Sequence, residues 1–440
     1  MLMWYSFYNG YPLVTSDTGA YIRYAFDFQV LKDRSSFYCV FAAIGGLRTL
    51  DIAGVRGSAW LPVFFQCVII SWLLLRYYRL IAGRMPGASG WFVVVAVIVA
   101  TTGLSWVASY LMPDIFAGIL LLALLLYTLD KNASKFTRIT YLGMIAGAVL
   151  VHNSHFLILP MATGLLLVTA WVRGKYDIRN NLARVLLLTA CCWMFVCSIN
   201  YSKGLGFTLS AASHAFMIGK LAETGVLQQY LSENCDTKSN KLCLYQNEIP
   251  DIAYHYLWDE YSPFYKIGGW DSSAAVHKPI IKDIFTNPKY ASRFAKQSVL
   301  HTARQLSFIS IPEGEVSHGV ASSPFKYINM FLKSEIPQYS NSRQMRGIID
   351  NTAWIMIQRY TFFLSSIAVL LLIRNMPGRR KIAYVYLVVF IFIISNAFVT
   401  ATFANVLDRL QIRVFWVLPA TNIIVLLQYF MSRKAIPEKE

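Results

Sequence analysis

Long apolar runs alternate with short polar segments along most of the chain. A helix needs about 20 apolar residues to cross the roughly 30 Å hydrocarbon core of a bilayer. The pattern therefore predicts an all-α polytopic membrane protein. The predicted spans lie at about 58–78, 91–111, 115–129, 139–153, 155–172, 184–202, 352–374, 382–402 and 412–431.

Basic residues follow every second span, the arrangement that orients membrane proteins with these loops in the cytoplasm. The chain has 440 residues and a net charge of +17, but its basic residues form short clusters between spans rather than a binding patch, so we do not predict nucleic-acid binding. The clustered residues are Arg76, Arg79, Arg84, Lys131, Lys135, Arg138, Arg173, Lys175, Arg179, Arg184, Arg374, Arg379, Arg380, Lys381, Arg433 and Lys434.

The opposite, outer face then receives the unusual polar features of the chain. These features lie in residues 1–57, the corner at 111–114, the turn at 152–155, the segment 203–350 and the corner at 403–411. We therefore expect a functional site on this face, which is the periplasmic face if the chain belongs to a bacterial inner membrane.

Three regions follow from the pattern. Residues 1–202 are predicted to form an N-terminal transmembrane module with a first outer loop at 14–57, and residues 351–440 the C-terminal transmembrane helices. Residues 203–350 are too long for an unstructured loop, so we expect a small, mainly helical outer domain. The apolar stretch 1–13 is too short to span. Either the chain begins on the outer face, or a leading helix is short or missing from this version of the chain, and we favour the second interpretation.

The first outer loop has the pattern of interfacial helices. Tyr21, Tyr24 and Phe28 recur at helical spacing, which predicts a helix lying at headgroup depth. A second apolar segment at 37–47 follows and is too short to span.

Asp17 and Asp114 are the most informative acidic residues. Only 14% of the residues are charged, and a carboxylate at the edge of an apolar segment needs a partner or a function. Each also precedes a predicted helix, where a carboxylate commonly caps free backbone N–H groups. Taken alone, Asp17 is explained equally well by capping and by catalysis, and Asp114 is explained by capping. Their common face favours chemistry for the pair.

His152 and His155 lie in a tight turn between two predicted spans. Two histidines at this spacing can bind a metal, but a third ligand is not evident nearby. Substrate contact or a structural role is the favoured interpretation, and metal binding is the weaker alternative.

Arg409 and Arg413 open the last span on the outer face, against the positive-inside trend. Such residues need an anionic partner, and the planar guanidinium suits a phosphate. A structural ion pair, for example with Asp408, is an equally supported alternative.

Cys235 and Cys243 flank a polar loop in the outer segment. In an oxidising compartment a disulfide is favoured. A metal pair is the alternative, but no second Cys or His pair at ligand spacing accompanies these residues.

The order of these features resembles the GT-C superfamily of integral membrane glycosyltransferases, over most of the chain. The matching features are Asp17 at the opening of the first outer loop, the segment 33–38, Gln66, the corner Met112-Pro113-Asp114, a late outer domain, and Asp408-Arg409 with Arg413. The Cys pair and Leu257-Trp258-Asp259 are similar to features of uncharacterised bacterial members of that superfamily.

The resemblance implies a hexosyl- or pentosyltransferase whose donor sugar is carried on a polyprenyl phosphate or diphosphate. The acceptor would be a glycan, a lipid or a protein, transfer would be inverting, and no nucleotide cofactor is expected. Asp17 would be the general base, and Asp114 would orient the acceptor or assist proton transfer. The candidate substrate-binding residues are Tyr21, Arg34, His152, His155, Arg409 and Arg413. A divalent metal fits the family's chemistry but is not predicted, because the second corner has one carboxylate rather than an acidic pair.

Two other functions compete with this one. A transporter or flippase for lipid-linked sugars predicts paired broken helices or internal repeats, and the sequence shows neither. A catalytically inactive scaffold of an envelope polysaccharide system would keep the same landmarks without turnover.

Overall fold

The computed structural model describes residues 1–48, 57–238, 240–375 and 379–434. Within these ranges the regular secondary structure is helical, and the single strand-like feature is an isolated parallel bridge between Leu13 and Tyr110. The all-α architecture predicted from the apolar periodicity is therefore confirmed.

The helices carry the following labels. The first part of the chain forms α1 (Trp4–Asn9), α2 (Thr18–Asp27), α3 (Phe37–Ala42), α4 (Trp60–Ala82), α5 (Ala88–Thr101), α6 (Leu104–Ala108), α7 (Ile115–Leu129), α8 (Lys135–Val151), α9 (His155–Val172) and α10 (Tyr176–Ser202). The middle part forms α11 (Ser213–Glu223), α12 (Val226–Asn234), α13 (Ala253–Trp258), α14 (Pro263–Lys266), α15 (Gly269–Ser272), α16 (Ala274–Thr286), α17 (Pro288–Leu306), α18 (Ser323–Phe331) and α19 (Ile336–Ser340). The last part forms α20 (Thr352–Asn375), α21 (Arg379–Phe403), α22 (Asp408–Phe415) and α23 (Val417–Lys434).

Six helices of the described ranges are long and apolar enough to cross a membrane, so the chain is a multi-pass membrane protein. These helices are Trp60–Ala82, His155–Val172, Tyr176–Ser202, Thr352–Ile373, Arg380–Phe403 and Asp408–Phe430. Shorter apolar helices lie at Phe37–Leu47, Ala88–Thr101 and Ile115–Leu129.

One predicted span does not form a single helix. The expected span 91–111 divides into α5 and α6, because Thr102 has extended backbone angles (φ −131°, ψ 164°) and its hydroxyl donates to the Ile98 carbonyl. Gly103 then passes so close to α22 that a Cβ would lie 2.6 Å from Ile412. The break turns the chain into the corner that precedes Asp114.

The first predicted outer loop contains α2 and α3, and α3 continues as a π-helical turn over Ala43–Leu47. Helix α2 packs against α18, where Gly19 is so close that a Cβ would lie 2.2 Å from the Ser323 hydroxyl. Residues 49–56 of the predicted loop 14–57 lie outside the described ranges.

The segment 203–350 packs in two ways. Helices α11–α17 enclose a hydrophobic cluster of their own, which includes Ile218, Leu227 and Ile284. We call residues 213–306 the helical lobe. Residues after the lobe, including Ile311 and Tyr339, belong to the main hydrophobic core instead. Residues 307–350 therefore return from the lobe to the helix bundle.

A disulfide joins Cys235 to Cys243 within the lobe, with 5.5 Å between the two Cα atoms. The disulfide closes the polar segment that follows α12. The covalent ring is short, because the two cysteines are eight positions apart.

The two ends of the helix bundle differ in their charges. At one end Arg76 pairs with Asp130 at 2.9 Å, and Lys131 pairs with Asp177 at 2.8 Å. These basic residues belong to the clusters that the sequence assigns to one face. Helices α7, α9 and α22 begin at the opposite end, where the candidate residues meet.

Candidate functional site

Asp17 occupies the N-cap position of α2, but its side chain makes no capping hydrogen bond. Thr15 and Thr18 form the local turn instead: the Thr15 N–H donates to the Thr18 hydroxyl at 2.9 Å. The Asp17 carboxylate turns toward Arg34, whose Nη1 lies 2.6 Å from Oδ1. The structure therefore gives no support to the capping interpretation of Asp17.

The chain before Asp17 is fixed to the corner before Asp114. The Leu13 N–H donates to the Ser109 carbonyl at 2.9 Å, and the Leu111 N–H donates to the Leu13 carbonyl at 3.0 Å. The Gln344 side chain accepts from the Val14 N–H at 3.1 Å and donates to the Val14 carbonyl at 2.7 Å. This pairing brings two carboxylates nearly 100 positions apart in sequence to one place.

Asp114 occupies the N-cap position of α7, and it too makes no capping hydrogen bond. Its side chain is only 2% exposed, and Oδ1 accepts no hydrogen bond from the described residues. The nearest cations are Arg409, at 3.9 Å from Oδ2, and Arg413, at 3.7 Å from Oδ1. A buried carboxylate with an open acceptor is costly unless a ligand or a charge compensates it.

Arg409 lies between the two carboxylates. Its Nη2 is 3.8 Å from Asp17 Oδ2 and its Nε is 3.9 Å from Asp114 Oδ2. Both distances are too long for a hydrogen bond, and no hydrogen bond from the Arg409 guanidinium occurs among the described residues. Arg409 therefore keeps its N–H donors free, and its side chain is 23% exposed.

Arg413 has a different environment. It is fully buried and donates to Asn396 Oδ1 from Nε at 3.1 Å and from Nη2 at 2.9 Å. Nη2 also lies 3.2 Å from the Ser154 hydroxyl, and Nη1 lies 3.4 Å from His152 Nε2. This geometry fits a residue that holds Asp114 from inside the bundle.

Glycine permits the approach of Arg413 to Asp114. A Cβ on Gly118, one turn into α7, would lie 2.7 Å from Cζ2 of Trp416. The Trp416 indole N–H donates to the Arg413 carbonyl at 3.0 Å. Helices α7 and α22 can therefore cross closely enough to pair the two charged residues.

His152 and His155 stack with ring centroids 5.0 Å apart. His155 Nδ1 lies 2.6 Å from the Ala148 carbonyl, and its buried Nε2 has no hydrogen-bond partner among the described residues. No group of three or more His, Cys, Asp or Glu residues suited to a metal ion occurs within the described ranges.

Tyr21 and Arg34 complete the wall beside Asp17. The Arg34 guanidinium lies 5.7 Å from the centroid of the Tyr21 ring, and Tyr21 packs edge-on against Tyr38 at 5.0 Å. Arg34 also donates to Asp33 Oδ2 from Nε and Nη2, so each of its three guanidinium nitrogens contacts a carboxylate oxygen. This engagement suits Arg34 to orienting Asp17 rather than to binding a ligand of its own.

The charges hold Asp17 ionised. Burial by itself raises the pKa of Asp17, but the guanidiniums of Arg34 and Arg409 outweigh burial and hold the pKa below its usual range. Asp17 Oδ2 accepts no hydrogen bond from the described residues, and the side chain is 31% exposed. Asp17 therefore presents one ionised oxygen that can accept a proton from a ligand hydroxyl.

Three residues near the site were not predicted from the sequence: Asn396, Glu315 and His318. Asn396 lies inside an apolar span, where a polar residue is itself a signal. Glu315 accepts hydrogen bonds from the Trp106 indole N–H and the Tyr110 hydroxyl at the corner before Asp114, and His318 interacts electrostatically with Asp17. Both residues lie in the polar segment that returns from the lobe. No local pattern distinguishes these two residues from their polar neighbours.

The assembled site contains a buried acceptor (Asp114 Oδ1), a carboxylate oxygen without a hydrogen-bond partner (Asp17 Oδ2) and an arginine with free N–H donors (Arg409). Such an arrangement can bind an anionic group at Arg409 while Asp17 accepts a proton beside it. No protein-family model, curated protein or solved structure matches the chain.

Proposed function

We propose that the chain is a GT-C-like membrane glycosyltransferase that transfers a sugar from a polyprenyl-phosphate or diphosphate donor to an acceptor on the periplasmic face of a bacterial inner membrane. The observation that carries the proposal is the shared environment of Asp17 and Asp114. Both stand at helix N-caps without capping, and both lie beside the free donors of Arg409.

Asp17 is the general base in this proposal. An acceptor hydroxyl attacking the anomeric carbon must lose a proton, and Asp17 Oδ2 is the ionised oxygen open to receive it. The lipid phosphate leaves with the electrons of the glycosidic bond, and Arg409 is the cation placed to stabilise the phosphate's charge.

Asp114 and Arg413 have supporting roles. Asp114 Oδ1 is buried and has no hydrogen-bond partner among the described residues, so it is the acceptor assigned to a substrate hydroxyl. The charge of Arg413, on the inner side of the bundle, compensates that of Asp114. The full burial of Arg413 supports assigning the phosphate to Arg409 in preference to Arg413.

The test is turnover by the full chain in lipid nanodiscs with a set of radiolabelled polyprenyl-phosphate hexoses and pentoses as donors and with glycan, lipid and protein acceptors supplied in parallel. Release of polyprenyl phosphate is measured for the wild type, Asp17→Asn and Asp27→Asn. Asp27 ends the same helix and pairs with Arg23 away from the site, so it is the matched control. Full activity of a well-folded Asp17→Asn protein would rule out the base assignment.

A transporter of lipid-linked sugars is the second candidate, because the break at Thr102 divides one apolar segment. A transporter needs a matching break in a partner helix. The last span instead keeps helical angles at Trp416 (φ −58°, ψ −21°), between α22 and α23. Movement of a fluorescent donor lipid across a proteoliposome membrane without sugar release would favour this candidate, and neither movement nor release would favour an inactive scaffold.

A further inference from the structure

Three polar atoms of the site meet at the guanidinium of Arg413. Its Nη1 lies 3.4 Å from His152 Nε2 and 3.7 Å from Asp114 Oδ1. The second distance is too long for a hydrogen bond, and the buried Oδ1 has no other partner among the described residues. A buried carboxylate oxygen in this position needs a further hydrogen-bond donor.

The hydrogen bonds of His152 fix which of its ring nitrogens carries the hydrogen. The Ser154 backbone N–H, which can only donate, lies 3.2 Å from His152 Nδ1. The Ser154 hydroxyl lies 2.9 Å from the same nitrogen. Nδ1 is therefore the acceptor, and the hydrogen of the ring is on Nε2. A protonated imidazolium would set a second donor against the Ser154 N–H, so the ring is neutral.

The contact between His152 and Arg413 is consequently a contact between two donors. Nε2–H and Nη1–H cannot bond to each other at 3.4 Å, so both remain available to a third group. Asp114 Oδ1, close to the same Nη1, is an acceptor without a donor. A hydroxyl group fits this combination, because its oxygen accepts from the donors and its hydrogen is donated to the carboxylate. An oxygen without a hydrogen would set its lone pairs against those of Oδ1.

We infer that His152 Nε2–H, Arg413 Nη1–H and Asp114 Oδ1 form a hydroxyl-binding site, and that its ligand is a hydroxyl group of the transferred sugar. The inference rests on the proposed function for the nature of the ligand, a sugar on a lipid phosphate. Arg409 lies 3.9 Å from the other oxygen of Asp114, so a phosphate bound by Arg409 brings its sugar next to this site. His152 is then a specificity-determining residue, because a buried site built for a hydroxyl group rejects a sugar that lacks it.

The first experiment measures equilibrium binding to the full chain in detergent. The probes are farnesyl phosphodiesters that carry glucose, galactose, mannose or xylose, and farnesyl methyl phosphodiester, which has no sugar. At least one sugar should bind about ten- to a hundredfold more tightly than the methyl diester, which leaves the polar groups of the site unpaired. Among the monodeoxy derivatives of that sugar, one should lose this advantage and the others should keep most of it.

Variants of His152 test its part in the site. His152→Phe keeps a planar ring but removes the Nε2–H donor, so it should bind the sugar probes about as weakly as the methyl diester. His152→Gln places an amide N–H near the former Nε2 and should recover part of the sugar advantage. His255→Gln is the matched control, because His255 is exposed on α13 of the lobe, and it should bind as the wild type does. Thermal unfolding checks that each variant is folded.

The outcomes separate the hydroxyl-binding site from the proposed function. Equal binding of all probes to the wild type would overturn the site, as expected if the three groups hold only water, and would leave the phosphate site at Arg409 standing. A sugar advantage that persists in folded His152→Phe would overturn the role of His152. Absence of binding by every probe would overturn the phosphate site at Arg409 and the hydroxyl-binding site with it.

A second measurement needs no ligand. In protein labelled with ¹⁵N at histidine, the pair of ring signals that disappears in His152→Phe should belong to a neutral ring with its hydrogen on Nε2. The wild-type spectrum at pH 7 carries the answer, and the variant serves only to assign it. A hydrogen on Nδ1 of His152 would make Nε2 an acceptor for Arg413, and this result would contradict the inference.

Discussion

Asp17 and Asp114 share one guanidinium: Arg409 lies 3.8 Å from the first and 3.9 Å from the second. Each carboxylate also has an arginine of its own, Arg34 for Asp17 and Arg413 for Asp114. Arg409 can therefore turn toward a ligand while each carboxylate keeps an arginine of its own.

Replacing Arg409 should impair ligand binding more than folding. Arg409→Ala is expected to raise the KM for a lipid-linked donor about ten- to a hundredfold, since a charge-assisted hydrogen bond contributes about 1.5–3 kcal/mol. Arg409→Lys keeps the charge but loses the planar fork, and it should recover part of the loss. Steady-state kinetics and thermal unfolding together test this expectation, and a large fall in Tm with unchanged KM would contradict it.

Replacing Arg413 should have the opposite effect. Arg413→Met removes a buried cation from Asp114 and three hydrogen bonds to Asn396 and Ser154, so we expect a loss of about 3–5 kcal/mol of stability. The double variant Arg413→Met/Asp114→Asn should recover part of it, because no buried charge remains uncompensated. Chemical unfolding in detergent measures the unfolding free energy of the single and of the double variant. A double variant no more stable than Arg413→Met would show that the ion pair is unimportant.

A side chain at position 118 should destabilise the protein. Gly118→Ala places a Cβ against the Trp416 ring and should cost about 1–3 kcal/mol through overpacking. A Cβ added to Gly143 on α8 would have no neighbouring atom within 4 Å, so Gly143→Ala should be neutral or slightly stabilising. The difference in unfolding free energy between the two variants is the measurement, and equal effects would argue against the close crossing of α7 and α22.

The disulfide should stabilise the lobe rather than the bundle. Replacing both Cys235 and Cys243 by serine opens a short loop and should cost about 2–3 kcal/mol by the loop-closure argument. Because the lobe has its own hydrophobic cluster, hydrogen exchange should accelerate in residues 213–306 and stay unchanged in α4 and α7. Uniform acceleration across the chain would indicate that the two clusters unfold together.

Acid should weaken the protein partly through Asp17. Its pKa is held below the ordinary value of 3.8, so its ionised form stabilises the fold above that value, and the contribution disappears as pH falls through the lower pKa of the folded state. The Tm should therefore fall less steeply between pH 6 and pH 2.5 for Asp17→Asn than for the wild type. Asp27→Asn, on the same helix, serves as the reference.

The sequence located much of the site but not its connections. The alternation of spans and basic loops places Asp17, Asp114 and Arg409 on one face without any knowledge of their distances. Capping could not be decided, because an N-cap position is a local property and the direction of a side chain depends on distant residues. Arg34 decides that direction for Asp17 and Arg409 lies beside both carboxylates.

By itself, the sequence determined the helical class, the membrane location and the sorting of charges between two ends, because apolar periodicity and loop charge act over tens of residues at most. Only the tertiary structure decided that α5 breaks at Thr102 and that Glu315 meets Trp106 across 209 positions. Such contacts depend on backbone approach at Gly103 and Gly118 and on the pairing of Leu13 with the 109–111 corner. Long-range packing of this kind leaves no periodic signature in the residues that it joins.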